Sequence, residues 1–160
     1  MIRPVNKLDA PSICKIYNYY IKNTIITFEE EEVSNVEMEK RIKENTKEFP
    51  WYVFEEKGEI VGYAYATLWR KRSAYRYSAE STVYLHREKT KRGIGTALYT
   101  HLITETKKKE IHSLIGGISL PNEGSVALHE KLGFKKCAHF KEIGKKFGEW
   151  VDVGYWEKTL

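Results

Sequence analysis

Cysteine, methionine and proline are scarce: two, two and four in 160 residues. Cys14 and Cys137 lie far apart, without a C-x-x-C spacing and without a histidine at ligand distance. That excludes a disulfide framework and a zinc signature, and it predicts two reduced, buried thiols, neither of them a nucleophile. So few prolines argue against a disordered chain, and 41% apolar residues with 13% aromatics suffice for one packed core. No apolar run approaches the roughly 20 residues that a bilayer-crossing helix needs. The opening M-I-R-P-V-N-K-L-D carries charge where a signal peptide has its apolar block. The expectations are one domain over residues 1–160, a cytoplasmic location, and no metal or membrane partner.

The net charge of +5 is unevenly spread. Residues 29–48 hold eight glutamates against four basic residues, whereas residues 131–148 hold six lysines against Glu142 alone. Residues 86–110 are also basic, with Arg87, Lys89, Lys91, Arg92 and Lys107–Lys109. Aromatics do not alternate with these basic residues as stacking platforms for nucleic acid require, so a small polyanion is the better partner.

Met1–Val5 reads as a strand, followed by a helix capped by Asp9 with Pro11 in its first turn. Ser34 caps a second helix to about Glu48, and Pro50–Glu56 and Glu59–Leu68 form a hairpin through Lys57-Gly58. A basic loop, Trp69–Arg76, leads to the strand Tyr77–Leu85. Gly93–Lys109 is an amphipathic helix with Ile94, Ala97, Leu98 and Leu102 on one face, and Ser113–Ser119 is a buried strand. Asn122 caps a last helix that closes at Gly133, and strands Phe134–Phe140 and Trp150–Trp156 pair through Gly144–Gly148. The order β-α-α-β-β-β-α-β-α-β-β predicts an α/β fold: a mixed sheet with helices on both faces.

Two segments point to chemistry. In T-K-R-G-I-G-T-A-L at Thr90, paired glycines open a helix just after a strand and a basic loop. The N–H groups of Arg92, Gly93, Ile94, Gly95 and Thr96 would then face a diphosphate, with Lys91 and Arg92 adding charge. In N-E-G-S-V-A-L-H-E-K-L-G-F at Asn122, the inward helix face carries one titratable group, His129. Glu80 lies on one face of a central strand, where a carboxylate is costly unless it is paired or functional. A phosphorylated cofactor beside acid/base groups implies an enzyme.

These stretches resemble the GNAT acetyltransferase superfamily, whose Q/R-x-x-G-x-G/A loop is here Thr90-Lys91-Arg92-Gly93-Ile94-Gly95. Threonine at the first position changes one side-chain contact and leaves the backbone cradle. The chain is similar over nearly its whole length to the phosphinothricin and methionine sulfoximine/sulfone N-acetyltransferases. The likeness lies in P-W-Y-V at Pro50, A-Y-A at Ala64, S-A-Y at Ser73, A-E-S-T-V-Y at Ala79, L-Y-T-H-L at Leu98, L-P-N at Leu120, S-V-A-L-H-E-K-L-G-F at Ser125 and G-E-W-V-D-V-G-Y-W at Gly148.

The resemblance implies a GNAT-like acyl-CoA N-acyltransferase fold, acetyl-CoA as co-substrate, a small amine as acceptor and a homodimer. It implies Glu80 as catalytic base, and His129 as the group that protonates the departing thiolate or shares the base role. Val83, Tyr84 and Leu85 would offer backbone donors to the acetyl carbonyl and pantetheine arm, and Asn122 would touch the cofactor. Phe28, Arg72, Ser73, Ala74 and Tyr75 would surround the amine substrate. The basic loop argues against a polycationic acceptor such as a polyamine. Antibiotics, protein N-termini and a non-catalytic acyl-CoA sensor are the remaining alternatives.

Overall fold

The computed structural model describes residues 1–160. Its strands are β1 (Ile2–Pro4), β2 (Trp51–Glu56), β3 (Glu59–Leu68), β4 (Ser78–Leu85), β5 (Ser113–Leu120), β6 (Lys135–Lys146) and β7 (Glu149–Thr159). Its helices are α1 (Ala10–Asn23), α2 (Asn35–Asn45), α3 (Ile94–Lys108) and α4 (Glu123–Lys131). The strands form one mixed sheet in the order β1-β2-β3-β4-β5-β7-β6, in which only the β4–β5 pair is parallel. This is the expected α/β architecture.

Alternation along the strands divides the apolar side chains between two faces. Val53 and Tyr63 pack with Ile13, Ile16, Met38 and Ile42 of α1 and α2. Ala64, Ala66, Ala79 and Leu114 pack with Leu98, Tyr99 and Leu102 of α3. The helices therefore cover both sides, and β4 lies between them with one face toward each.

Three local expectations are corrected. Asn6, not Asp9, is the first side-chain cap: its Oδ1 accepts the Leu8 N–H, and a 3-10 turn at Lys7–Asp9 precedes α1. The Asp9 carboxylate is held by Arg3 at 2.8 Å and accepts the Asn6 N–H, a bidentate charged pair that outweighs a cap on α1. The second helix stops at Asn45, short of Glu48, where Thr46 is its C-cap. The last hairpin is longer than expected and turns at Phe147-Gly148, both at positive φ. Gly144 is a strand residue, so its glycine is not a turn signal.

Cys14 is buried as expected, but Cys137 is exposed on β6, the edge strand. Titration of the native protein with a thiol reagent should therefore modify Cys137 alone, with Cys14 reacting only after unfolding.

Candidate active site

β4 and β5 pair only at Ser78–Ser113, Ala79–Leu114 and Glu80–Ile115. Beyond Glu80 the two strands no longer pair with each other, and an opening lies between them. Glu80 is thus the last residue of β4 paired with β5, at the mouth of the opening. Its Oε1 lies against Gly117 of β5, beside the Tyr155 ring.

The opening holds two connected spaces. A cavity of about 370 Å³ is lined by Glu80, Ser81, Gly117, His129, Phe28 and Tyr155, among others. A cleft of about 450 Å³ is lined by Lys91, Gly93, Gly95 and Thr96 from the start of α3, and by Leu128 and Lys131 from α4. Ile26, Val83, Tyr84, Asn122 and Ser125 line both, so the two are continuous. Volumes of this order suit small ligands.

The floor of the cleft is a helix start. Gly93 is the N-cap of α3 at φ 79°, and the first helical bond runs from the Ala97 N–H to the Gly93 carbonyl. The preceding amides therefore have no partner within the helix and face an anion site at its positive pole. Leu85 and Lys91 also line the cleft, as expected. Arg92 departs from expectation. Its guanidinium makes two bonds to the Glu56 carboxylate, at 3.0 and 3.1 Å, and Lys89 reaches the same carboxylate at 2.9 Å. These partners hold the Glu56 carboxyl down at about 2. Ile94 is buried in the core, so only its backbone is available. Lys131 across the cleft is a cation that sequence reasoning missed, hidden among the lysines of a generally basic segment.

Glu80 is partly buried, and desolvation raises its pKa above the ordinary glutamate range while the Arg70 charge draws it back. Asn122 caps α4, with its Oδ1 accepting the Ser125 N–H at 3.1 Å. His129 is buried, and burial lowers its pKa, so the ring is neutral at neutral pH. Its Nδ1–H donates to the Ser125 carbonyl at 2.7 Å, which leaves Nε2 to accept from the Tyr99 hydroxyl at 2.9 Å. The Tyr99 hydroxyl in turn meets Ser81 Oγ at 2.5 Å. Both ring nitrogens are thus engaged within the protein, which the sequence did not foretell.

The expected substrate residues are divided. Phe28 lines the cavity with Glu80. Arg72, Ser73, Ala74 and Tyr75 lie in the exposed loop between β3 and β4 and do not line it. Of the five residues expected around the amine substrate, Phe28 alone lines this cavity. In a nine-residue loop with one 3-10 turn at Ser73–Tyr75, the side chains are presented to solvent.

A parallel strand pair that opens beside a glycine-capped helix, with a carboxylate at the point of parting, defines a site for an acyl donor with a diphosphate tail. The chain belongs to the GNAT acetyltransferase family, whose Acetyltransferase (GNAT) domain matches residues 2–154. It is an acetyl-CoA-dependent N-acetyltransferase. It is 36% identical over 159 residues to a phosphinothricin N-acetyltransferase of Streptomyces viridochromogenes, covering 99% of this chain and 87% of that protein. It is 31% identical to an L-methionine sulfoximine/L-methionine sulfone acetyltransferase of Salmonella typhimurium, covering 99% and 94% of the two chains. The crystal structure of a GNAT phosphinothricin acetyltransferase from Sinorhizobium meliloti in complex with acetyl-CoA superposes with a TM-score of 0.96 at 34% identity, covering 100% of this chain and 88% of that one.

Proposed function

We propose that this enzyme transfers acetyl to the α-amine of a small amino acid or analogue, of the phosphinothricin or methionine sulfoximine and sulfone type, by direct attack with both substrates bound. The observation that supports this most is that Glu80 and His129 line one cavity that runs into the cleft beneath Gly93. No metal-ligand cluster is required by the chemistry, and none of three or more His, Cys, Asp or Glu side chains is found.

Acetyl-CoA supplies an activated thioester carbonyl. An ammonium has no lone pair, so the acceptor must first lose a proton; the Glu80 carboxylate takes it, directly or through one water. The backbone N–H groups of Val83 and Leu85, which alternate away from β3, act as donors to the acetyl oxygen and the pantetheine arm, whereas the Tyr84 N–H faces β3 and that residue contributes only to the wall of the cleft. The amides of Arg92, Gly93, Ile94, Gly95 and Thr96, with the Lys91 ammonium, hold the diphosphate, and Asn122 bounds the site opposite. The Arg92 guanidinium stays on Glu56 and contributes through its effect on the loop. With Nδ1–H fixed on Ser125, His129 acts as an acceptor at Nε2: through the hydroxyls of Ser81 and Tyr99 it takes the second proton that the amine nitrogen loses as the amide forms, and the proton held by Glu80 passes to the departing sulfur. Phe28 bounds the acceptor from the cavity wall, and Arg72, Ser73, Ala74 and Tyr75 form its outer approach.

These assignments separate two neighbouring cations. Lys91→Ala should raise the KM for acetyl-CoA about tenfold, the worth of one charge-assisted contact. Arg92→Ala should change it less than about threefold, since that side chain is already spent on Glu56. Initial-rate kinetics at varied acetyl-CoA measures both.

We also propose a cytoplasmic homodimer. No helix is long and apolar enough to cross a membrane. Phe140, Phe147 and Trp150 expose apolar surface along β6 and β7 that suits a second copy. The function itself is tested by thiol release from acetyl-CoA across a panel of amino acids, their sulfoximine, sulfone and phosphinate analogues, polyamines and peptides. Turnover confined to polyamines or peptides would overturn the substrate assignment, and binding of acetyl-CoA without turnover on any amine would overturn catalysis.

A further inference from the structure

Lys146, near the end of β6, is 2% exposed and has no carboxylate within ion-pairing distance. A buried ammonium is expensive unless its protons find acceptors. Its Nζ has one hydrogen-bond acceptor in the protein, the Thr27 backbone carbonyl at 2.7 Å. Thr27 belongs to the segment between α1 and α2, 119 positions away along the chain. Two further contacts bear on this segment. The Tyr17 hydroxyl meets Thr27 Oγ1 at 2.8 Å. Two residues before Lys146, the Phe28 ring lies so close to Gly144 that a Cβ there would strike it. Ile26, Thr27 and Phe28 line the catalytic cavity across from Glu80, and Ile143 of β6 lines it too.

We propose that Lys146 is a positioning residue for the acceptor: held on the Thr27 carbonyl, with Gly144 making room for the Phe28 ring, it fixes the Ile26–Phe28 wall at the distance from Glu80 that the amine substrate requires. The proposal rests on the acceptor being bound in this cavity. Apolar packing alone would hold a loop against β6 without a buried charge. A single ammonium on a main-chain oxygen instead fixes position along the strand, whatever side chains the segment carries. Burial lowers the Lys146 pKa, and the Glu30 charge opposes that lowering.

Lys146→Met keeps the length and apolar stem of the side chain and removes the donor. In the full-length enzyme, its KM for the best amino-acid acceptor should rise about tenfold or more, on the scale at which displacements of about 1 Å impair catalysis. The dissociation constant for acetyl-CoA, read by calorimetry, should stay within about twofold, because the cleft shares only Ile26 with this wall. Discrimination between short and long amino-acid side chains should narrow as well. A purely structural lysine would lower the melting temperature and leave both KM values and the discrimination unchanged, which would overturn the proposal. Should K146M not fold, Gly144→Ala presses on the same wall from the Phe28 side, and an unchanged acceptor KM there would likewise overturn it. A wild-type enzyme inactive on every amino acid would instead refute the functional reading on which the inference rests.

Discussion

Replacing Glu80 by glutamine should lower kcat by about 10²–10⁴-fold, the usual worth of a positioned general base. The amide is nearly the same size and keeps an acceptor oxygen, so acetyl-CoA binding should not change. The pH dependence carries the finer test. A base works when deprotonated, so kcat/KM rises with pH through the Glu80 titration. Burial lifts that titration above the ordinary glutamate range, and Arg70 opposes the lift. Arg70→Met should therefore move the acid limb of the profile to higher pH, and Glu80→Gln should abolish it. An acid limb that persists unchanged in the glutamine variant would assign it to another group.

Gly116→Ala should have the largest effect on stability. A Cβ at this β5 position would collide with the His129 imidazole, which the Ser125 carbonyl and the Tyr99 hydroxyl hold from either side. With Tyr99 and Phe134 packed edge-on against it, the ring can retreat only toward the cavity, which breaks these bonds. Overpacking together with at least one orphaned buried polar group should cost about 3 kcal/mol or more. For a chain of this length that corresponds to a fall of roughly 10 °C in melting temperature, measurable by calorimetry. Tyr99→Phe is the milder counterpart. It removes one hydroxyl, leaves Nε2 without its donor and should lower kcat about tenfold with little change in either KM. Wild-type turnover in that variant would remove the hydroxyl row from the mechanism.

Much of the site could be read from the sequence because its signals are local. The glycine-opened helix at Gly93, the Asn122 cap and the alternation that puts Glu80 on one face of β4 each depend on spacing within a few residues. What escaped depends on partners far along the chain. Nothing near Arg92 indicates that Glu56, 36 positions away, occupies its guanidinium. Asp9 has the chemistry of a cap, and only the approach of Arg3 from β1 diverts it. Gly144 looks like a turn residue until the Phe28 ring is brought against it. His129 was recognisable as a candidate, but its engagement by the Tyr99 hydroxyl of α3, 30 positions away, is a contact that no sequence spacing specifies.

The brief parallel pairing of β4 with β5 has a mechanical consequence. With three residue pairs joining them, the leaf β1–β4 and the leaf β5–β7 meet along a short seam. A ligand lying in the cleft bridges the seam, touching β4 and α3 on one leaf and α4 on the other. Its binding energy then acts as cross-bracing between the leaves, and saturation at about 100 times Kd should add about 2.7 kcal/mol of resistance to unfolding. Amide exchange would slow most where β4 and β5 part beyond Glu80, since that is the hinge the brace immobilises.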